Sequence, residues 1–269
     1  MIGSVAVTAP TTPAAPTTTL FSLTGRTALV TGGSSGIGHA IARALGDAGA
    51  NVVIAARRPT HLDEALTRLR DHHIKAAAIT ADLADPADLT RLCHQAPTHF
   101  GDIDILVNNA ANNIRPPMTD LTPHDYEQTM AVNITAPYLL GQHFGPRMAE
   151  RGWGRIINIG SQQSHRAFGD SGAYGVSKAA ITGLTRSQAE AWSPHGVCAN
   201  TIIPGFVLTP LTEPAQAIPG RVEALAARTM TGRNGHPADF AGIAVLLASD
   251  ASAYITGQAI CVDGGFSVH

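Results

Sequence analysis

Lysine is almost absent from this chain. Of its 18 basic residues, only Lys75 and Lys178 are lysines; the rest are arginines. Where a surface cation is wanted the chain uses arginine, so Lys178 stands out as a place for a compact ammonium with rotatable donors. Cysteine is scarce too. Cys93, Cys198 and Cys261 lie too far apart for a metal or redox motif, and they are expected to be small buried hydrophobes in a reducing compartment. No pair among the 12 histidines has a metal-binding context, so no metal is assigned. No apolar run approaches the roughly 20 residues of a membrane span. The formal charge of −2, with arginines scattered rather than striped, argues against a nucleic-acid partner. The N-terminal residues lack the basic start and apolar core of a secretory signal, which leads to the expectation of a cytoplasmic protein.

Residues 1–19 are rich in Thr, Pro and Ala, with prolines at positions 10, 13 and 16. Such a segment buries too little apolar surface to offset its ordering entropy and is expected to be a flexible tail. From Leu20 onward, short β-branched runs at 27–31, 51–55, 76–80, 103–107, 155–159, 198–203 and 259–262 alternate with longer helical patterns. Strands separated by helices imply βαβ crossovers. The expectation is an α/β fold, a single Rossmann-type domain over residues 20–269. Its seven-stranded parallel sheet would be doubly wound, with helices on both faces.

The first strand runs into Thr31-Gly-Gly-Ser-Ser-Gly-Ile-Gly38 and then a helical pattern. Glycines here let the backbone turn tightly and approach a pyrophosphate, which a helix N-terminus favours electrostatically. The second strand ends Ala55-Ala-Arg57-Arg58. In dinucleotide folds an acid at this strand end binds the ribose 2′-hydroxyl, whereas arginine accommodates a 2′-phosphate. Arg57 and Arg58 therefore argue for NADP(H) over NAD(H), because guanidinium and phosphate match in a bidentate way.

A further stretch, residues 161–178, reads Ser-Gln-Gln-Ser-His-Arg-Ala-Phe-Gly-Asp-Ser-Gly-Ala-Tyr-Gly-Val-Ser-Lys. On a helix beginning near Tyr174, Tyr174 and Lys178 share one face. A neighbouring cation lowers a phenol's pKa, which would make Tyr174 a usable general acid or base where a free phenol of pKa about 10 is not. Asn133 sits inside the long helical pattern after Pro123, where its amide competes with backbone hydrogen bonds, and a distorted helix is expected there.

Together these features resemble the short-chain dehydrogenase/reductase family, whose turn is Thr-Gly-x-x-x-Gly-x-Gly. The resemblance rests on Gly32-x-x-x-Gly36-x-Gly38, Asp82-Leu83, Asn108-Asn109-Ala110-Ala111, Asn133, Ser161 thirteen residues before Tyr174, Pro204-Gly205 with Thr209, and Val262-Asp-Gly-Gly265. It implies a catalytic set of Asn133, Ser161, Tyr174 and Lys178. Tyr174 would exchange the hydroxyl proton and Ser161 hold the substrate oxygen, while Lys178 binds the nicotinamide ribose and Asn133 supports a proton relay. It implies cofactor contacts from Gly32, Ser34, Ser35, Gly36, Ile37 and Gly38, from Arg57 and Arg58, and from Asp82 and Leu83 at the adenine. Asn109, Ala110 and Ala111, with Pro204, Gly205, Val207 and Thr209, would complete that site. Ala111 stands where the family usually has glycine. Arg115, Gln163 and Arg166 are candidate substrate contacts, from loops at the cofactor side of the sheet, and His165 reads as an exposed loop residue.

The implied activity is NADP(H)-dependent interconversion of a secondary alcohol and a ketone by a homotetramer. The 20–26 start, the Asn-Arg loop before Pro116 and the Ser161-Gln-Gln-Ser164 run look most like gluconate 5-dehydrogenase-type members, which points to a polyol or sugar acid such as 5-ketogluconate. The alternatives are a 3-oxoacyl thioester reductase, a ketoreductase of secondary metabolism and, outside enzymes, an NADP-binding redox sensor.

Overall fold

A computed structural model describes residues 16–269. Most of the expected tail, residues 1–15, falls outside the described residues; Thr17–Leu20 form one helical turn. The strands are β1 Thr27–Thr31, β2 Asn51–Ala56, β3 Ala76–Thr80, β4 Ile105–Asn108, β5 Gly154–Ile159, β6 Val197–Pro204 and β7 Ala259–Val262. All pair in parallel in one sheet of order β3-β2-β1-β4-β5-β6-β7. Strands β1, β5 and β6 are buried along their whole length, as strands covered on both faces must be. β4 starts at Ile105 rather than at residue 103. Asp104 is used instead to close the start of β1: its carboxylate accepts from the Thr27 N–H at 3.0 Å.

Helices cover both faces. Helices Gly36–Asp47 and Pro59–Asp71 bury Ile41, Leu45, Leu62 and Leu69 on one side, joined by Phe240 and Leu247. On the other, helices Pro86–Gln95 and Ala136–Glu150 bury Leu89, Leu92, Leu140, Phe144 and Met148. The helical pattern after Pro123 is not continuous. Pro123–Met130 and Ala136–Glu150 are α-helical, and Ala131–Thr135 between them is a π turn centred on buried Asn133, the distortion its amide leads one to expect.

The chain runs from β1 outward to β2 and β3, then returns to place β4 on the other side of β1. That reversal opens a crevice beyond the carboxyl ends of β1 and β4, where ligands of open α/β sheets bind. Cys93 and Cys198 are buried, but Cys261 is exposed. The expectation of burial fails there because β7 is an edge strand whose residues alternate between exposed and half-buried. No helix among the described residues is long and apolar enough to cross a membrane.

Candidate active site

The crevice is a cleft of about 510 Å³ running from the glycine turn after β1, past the ends of β2 and β3, to Tyr174 and the segment after β6. At its floor Ser35 precedes helix Gly36–Asp47 in an extended conformation, and no side chain caps that helix. The first N–H groups of the helix are thus left for an anion, with the helix dipole behind them. Gly36 has φ +54°, a conformation that favours glycine, and a Cβ there would crowd Thr209 at 3.2 Å across the cleft. Gly38 differs from the other turn residues. It does not line the cleft; a Cβ on it would lie 2.4 Å from the Gly32 carbonyl oxygen and 2.3 Å from Asn109 Nδ2. Its bareness lets Asn109 clasp the turn, donating from Nδ2 to the carbonyls of Thr31 at 3.0 Å and Gly32 at 3.3 Å.

Gly32, Ser34, Ser35, Gly36 and Ile37 line the cleft, as do Arg57, Arg58, Asp82 and Leu83 farther along. The Arg57 side chain is 75% exposed and its Nη1 stands 4.0 Å from Asp82 Oδ2, so the guanidinium is only weakly engaged. Asn109, Ala110 and Ala111 form the middle of the wall. Ala111 does not have a positive φ, so the conformation admits alanine where the family usually has glycine. Pro204, Gly205, Val207 and Thr209 form the opposite wall and lead into Pro210, Leu211, Thr212 and Glu213, which overhang it. A bare glycine cradle, an uncapped helix start and two arginines beyond it fit a phosphorylated dinucleotide.

Ser161, Tyr174 and Lys178 meet at the far end. Ser161 stands two residues past the end of β5 and starts the short turn Gln162–Ser164, its Oγ accepting from the Gln163 N–H at 3.2 Å. Helix Gly172–Trp192 buries Ala173, Tyr174, Ser177, Lys178, Ile181, Thr182 and Thr185 at three- and four-residue spacing, which turns Tyr174 and Lys178 to the sheet together. Burial pushes the Tyr174 phenol up, while a hydrogen bond with Ser161 and the charge of Arg115 pull it down. The Lys178 ammonium donates to the Ile159 carbonyl at 2.7 Å and lies 5.5 Å from the Tyr174 ring centroid. Burial lowers its pKa to about 8. Ser161 and Arg115 thus ease Tyr174 ionisation, with the Lys178 ammonium, anchored on the end of β5, close to the same ring.

Asn133 is buried behind this site and does not line the cleft. Its Nδ2 donates to the Asn112 carbonyl at 3.1 Å and to Ser177 Oγ at 2.9 Å, and its Oδ1 accepts from the Asn112 N–H at 3.0 Å. Of the substrate candidates, Arg115 donates from Nε to the Asp170 carbonyl at 3.0 Å and from Nη2 to that of Gly169. Burial, then the neighbouring charge of Arg221, lowers its pKa. None of the three candidates, Arg115, Gln163 and Arg166, is among the residues that line the cleft. Arg166 turns outward and donates to the Ser267 carbonyl, because the short turn after Ser161 carries the chain away from the cleft; His165 is exposed beside it.

Sequence reasoning missed a buried polar lattice under the site. Asn108 Nδ2 donates to Asn158 Oδ1 at 2.8 Å, and Asn158 Nδ2 donates to Thr185 Oγ1 at 2.8 Å and Gln188 Oε1 at 2.9 Å. It ties β4 and β5 to the helix that carries Tyr174. Its one signal was Asn158 itself, a lone amide in the run Ile156-Ile-Asn-Ile159. Gln128, Val132 and Asn112, which also line the cleft, gave no such signal.

With this geometry in hand, comparison with known proteins is specific. Residues 32–267 match the family model described as Enoyl-(Acyl carrier protein) reductase. The chain is 36% identical over 249 residues to gluconate 5-dehydrogenase of Gluconobacter oxydans (strain 621H), covering 93% of this chain and 97% of that enzyme. It is 37% identical to D-threitol dehydrogenase of Mycolicibacterium smegmatis (strain ATCC 700084 / mc(2)155), covering 92% and 95%. The crystal structure of a gluconate 5-dehydrogenase from Burkholderia cenocepacia J2315, in complex with NADP and tartrate, superimposes with a TM-score of 0.88 at 35% identity, over 94% of this chain and 99% of that one. A seven-stranded parallel sheet in this order, a glycine cradle at its switch point and matches spanning nine-tenths of the chain leave one assignment: this protein belongs to the short-chain dehydrogenase/reductase family and is one of its oxidoreductases.

Proposed function

We propose that the protein interconverts a secondary alcohol and a ketone with NADP(H), on a sugar acid or polyol such as 5-ketogluconate. The observation that carries this reading is the meeting of the Ser161 and Tyr174 hydroxyls at the end of a cleft that begins in a glycine cradle. NADP(H) supplies or accepts the hydride when bound. Arg57, only weakly engaged by Asp82, and Arg58 hold the 2′-phosphate at the end of β2, and the uncapped start of helix Gly36–Asp47 takes the pyrophosphate. Asp82, Leu83 and Asn109 to Ala111 complete the wall, and Lys178 fixes the nicotinamide end from β5. In reduction Tyr174 gives its hydroxyl proton to the carbonyl oxygen while Ser161 stabilises the charge developing there. Asn133 supports proton return through the frame it builds. With its amide committed to Asn112 and Ser177, it holds the π turn against the loop after β4.

A second observation favours an acidic substrate. The charge of Arg221 reaches Arg115, which itself acts on Tyr174, and Arg221 Nε is buried without a partner. A carboxylate between them would satisfy both. Gluconate, in the name of the Gluconobacter relative, has this chemistry, and the Burkholderia enzyme was captured with tartrate. The test is NADPH oxidation across 5-ketogluconate, neutral keto-sugars and 3-oxoacyl thioesters. Turnover concentrated on keto acids, with KM raised about tenfold or more in Arg115→Ala and Arg221→Ala, supports the reading. Turnover confined to thioesters would transfer it to the 3-oxoacyl reductase alternative. The assembly is proposed to be a homotetramer built on helices Ala136–Glu150 and Gly172–Trp192, which expose Tyr138 and Val176; sedimentation equilibrium checks the mass.

A further inference from the structure

Two segments that flank the substrate end of the cleft meet on a third. Phe266, in the turn Phe266–Val268, is buried; its ring stacks on that of Phe168 at 6.0 Å and 23°. The Arg228 guanidinium lies 4.3 Å from the Phe266 ring centroid. Backbone contacts repeat the pattern: the Thr231 N–H donates to the Gly264 carbonyl at 3.2 Å, and Arg166 donates to the Ser267 carbonyl. The turn is itself stiff, since the Asp263 carboxylate accepts from the N–H groups of Gly265 at 3.0 Å and Ser267 at 2.8 Å.

The two gripped segments have different duties. Residues 228–231 follow helix Arg221–Ala227 and end the overhanging segment that starts after Thr209. Residues 166–171 lead into helix Gly172–Trp192. This second loop contains Asp170 in a left-handed conformation, φ +56°, an arrangement a non-glycine residue keeps only where surrounding contacts enforce it. The carbonyls of Gly169 and Asp170 hold Arg115, whose charge acts on Tyr174. Neither Phe168, Arg228 nor Phe266 lines the cleft.

We propose that Phe266 is a positioning residue. Held by Phe168 and Arg228, it couples the end of the overhang to the loop that sets Arg115, and so fixes the substrate end of the cleft without taking part in cofactor binding. Its effect on substrate rests on the reaction proposed above, but the coupling itself is read without any substrate. Amide hydrogen exchange is compared in wild type, Phe266→Ala and Phe168→Ala. Phe168→Ala is expected to speed exchange roughly tenfold in residues 228–231 as well as in 166–171, and Phe266→Ala to speed both. Exchange in helix Gly36–Asp47 and the Kd for NADPH should stay within about twofold of wild type. With 5-ketogluconate as probe, KM should rise while kcat changes less. Acceleration confined to 166–171 in Phe168→Ala overturns the coupling. So does uniform acceleration through the sheet with weakened NADPH binding, which would make Phe266 an ordinary core side chain. Phe266→Leu separates aromatic grip from filled volume: wild-type exchange in both segments would likewise overturn the proposal.

Discussion

Lys178→Met should leave the cofactor-free protein no less stable near neutral pH, and the wild type should gain on the variant as the pH rises. The Lys178 pKa stands at about 8 instead of the ordinary 10.5, owing to burial. Keeping the ammonium charged inside the fold therefore costs about 3 kcal/mol, an upper figure because water reaching the site would reduce it. Against this stands the hydrogen bond to the Ile159 carbonyl, whose loss leaves a buried acceptor unsatisfied at about 1–3 kcal/mol. Methionine fills most of the same volume, so below pH 8 the variant lies between equal stability and a gain of about 2 kcal/mol, the difference of those two figures. The sign with pH follows from linkage. The folded pKa lies below the unfolded one, so between about 8 and 10.5 the unfolded chain holds a proton that the folded chain has released, and wild-type stability rises with pH in that window. Guanidinium unfolding of both proteins at several pH values measures the difference, from which other titrating groups cancel. A difference that stays flat from pH 7 to about 10.5 would refute the burial argument for Lys178.

Other consequences are equally direct. Arg57→Ala should raise the KM for NADPH about tenfold to a hundredfold, the worth of a charge-assisted hydrogen bond, and leave that for NADH nearly unchanged; steady-state kinetics with both cofactors checks this. Gly38→Ala forces a methyl against the Gly32 carbonyl and Asn109. It should cost about 1–3 kcal/mol of stability and weaken NADPH binding in a fluorescence titration by parting the turn from the end of β4. Asn158→Ala strands the amides of Asn108 and Gln188, while the Thr185 hydroxyl keeps Ile181 and Thr201 as partners; a loss of about 2–4 kcal/mol in denaturant unfolding is expected.

Much of this molecule could be read from local pattern. Apolar runs located all seven strands because each is short and flanked by turn residues, and Asn133 announced the break in its helix because an amide in a helix interior has few other outcomes. The glycine turn was legible because close approach leaves little room for other residues at Gly36 and Gly38. Side-chain direction in loops was not legible. Gln163 and Arg166 stand two and five residues from Ser161, the first within the short turn that Ser161 starts and the second beyond it, and neither lines the cleft. Nor did the sequence foretell that Lys178 would spend its ammonium on Ile159 or that Phe266 would meet Phe168, since such contacts join distant segments and leave no periodic trace.

Hydride transfer in the cleft is proposed to have Tyr174 as its proton donor. This role is tested most directly by the rate of NADPH oxidation with 5-ketogluconate in wild type and Tyr174→Phe, measured alongside the Kd of each for NADPH. The expected result is a fall in kcat of about a hundredfold to ten-thousandfold with NADPH affinity nearly unchanged. A Tyr174→Phe protein that bound NADPH normally and still reduced the ketone at the wild-type rate would contradict it.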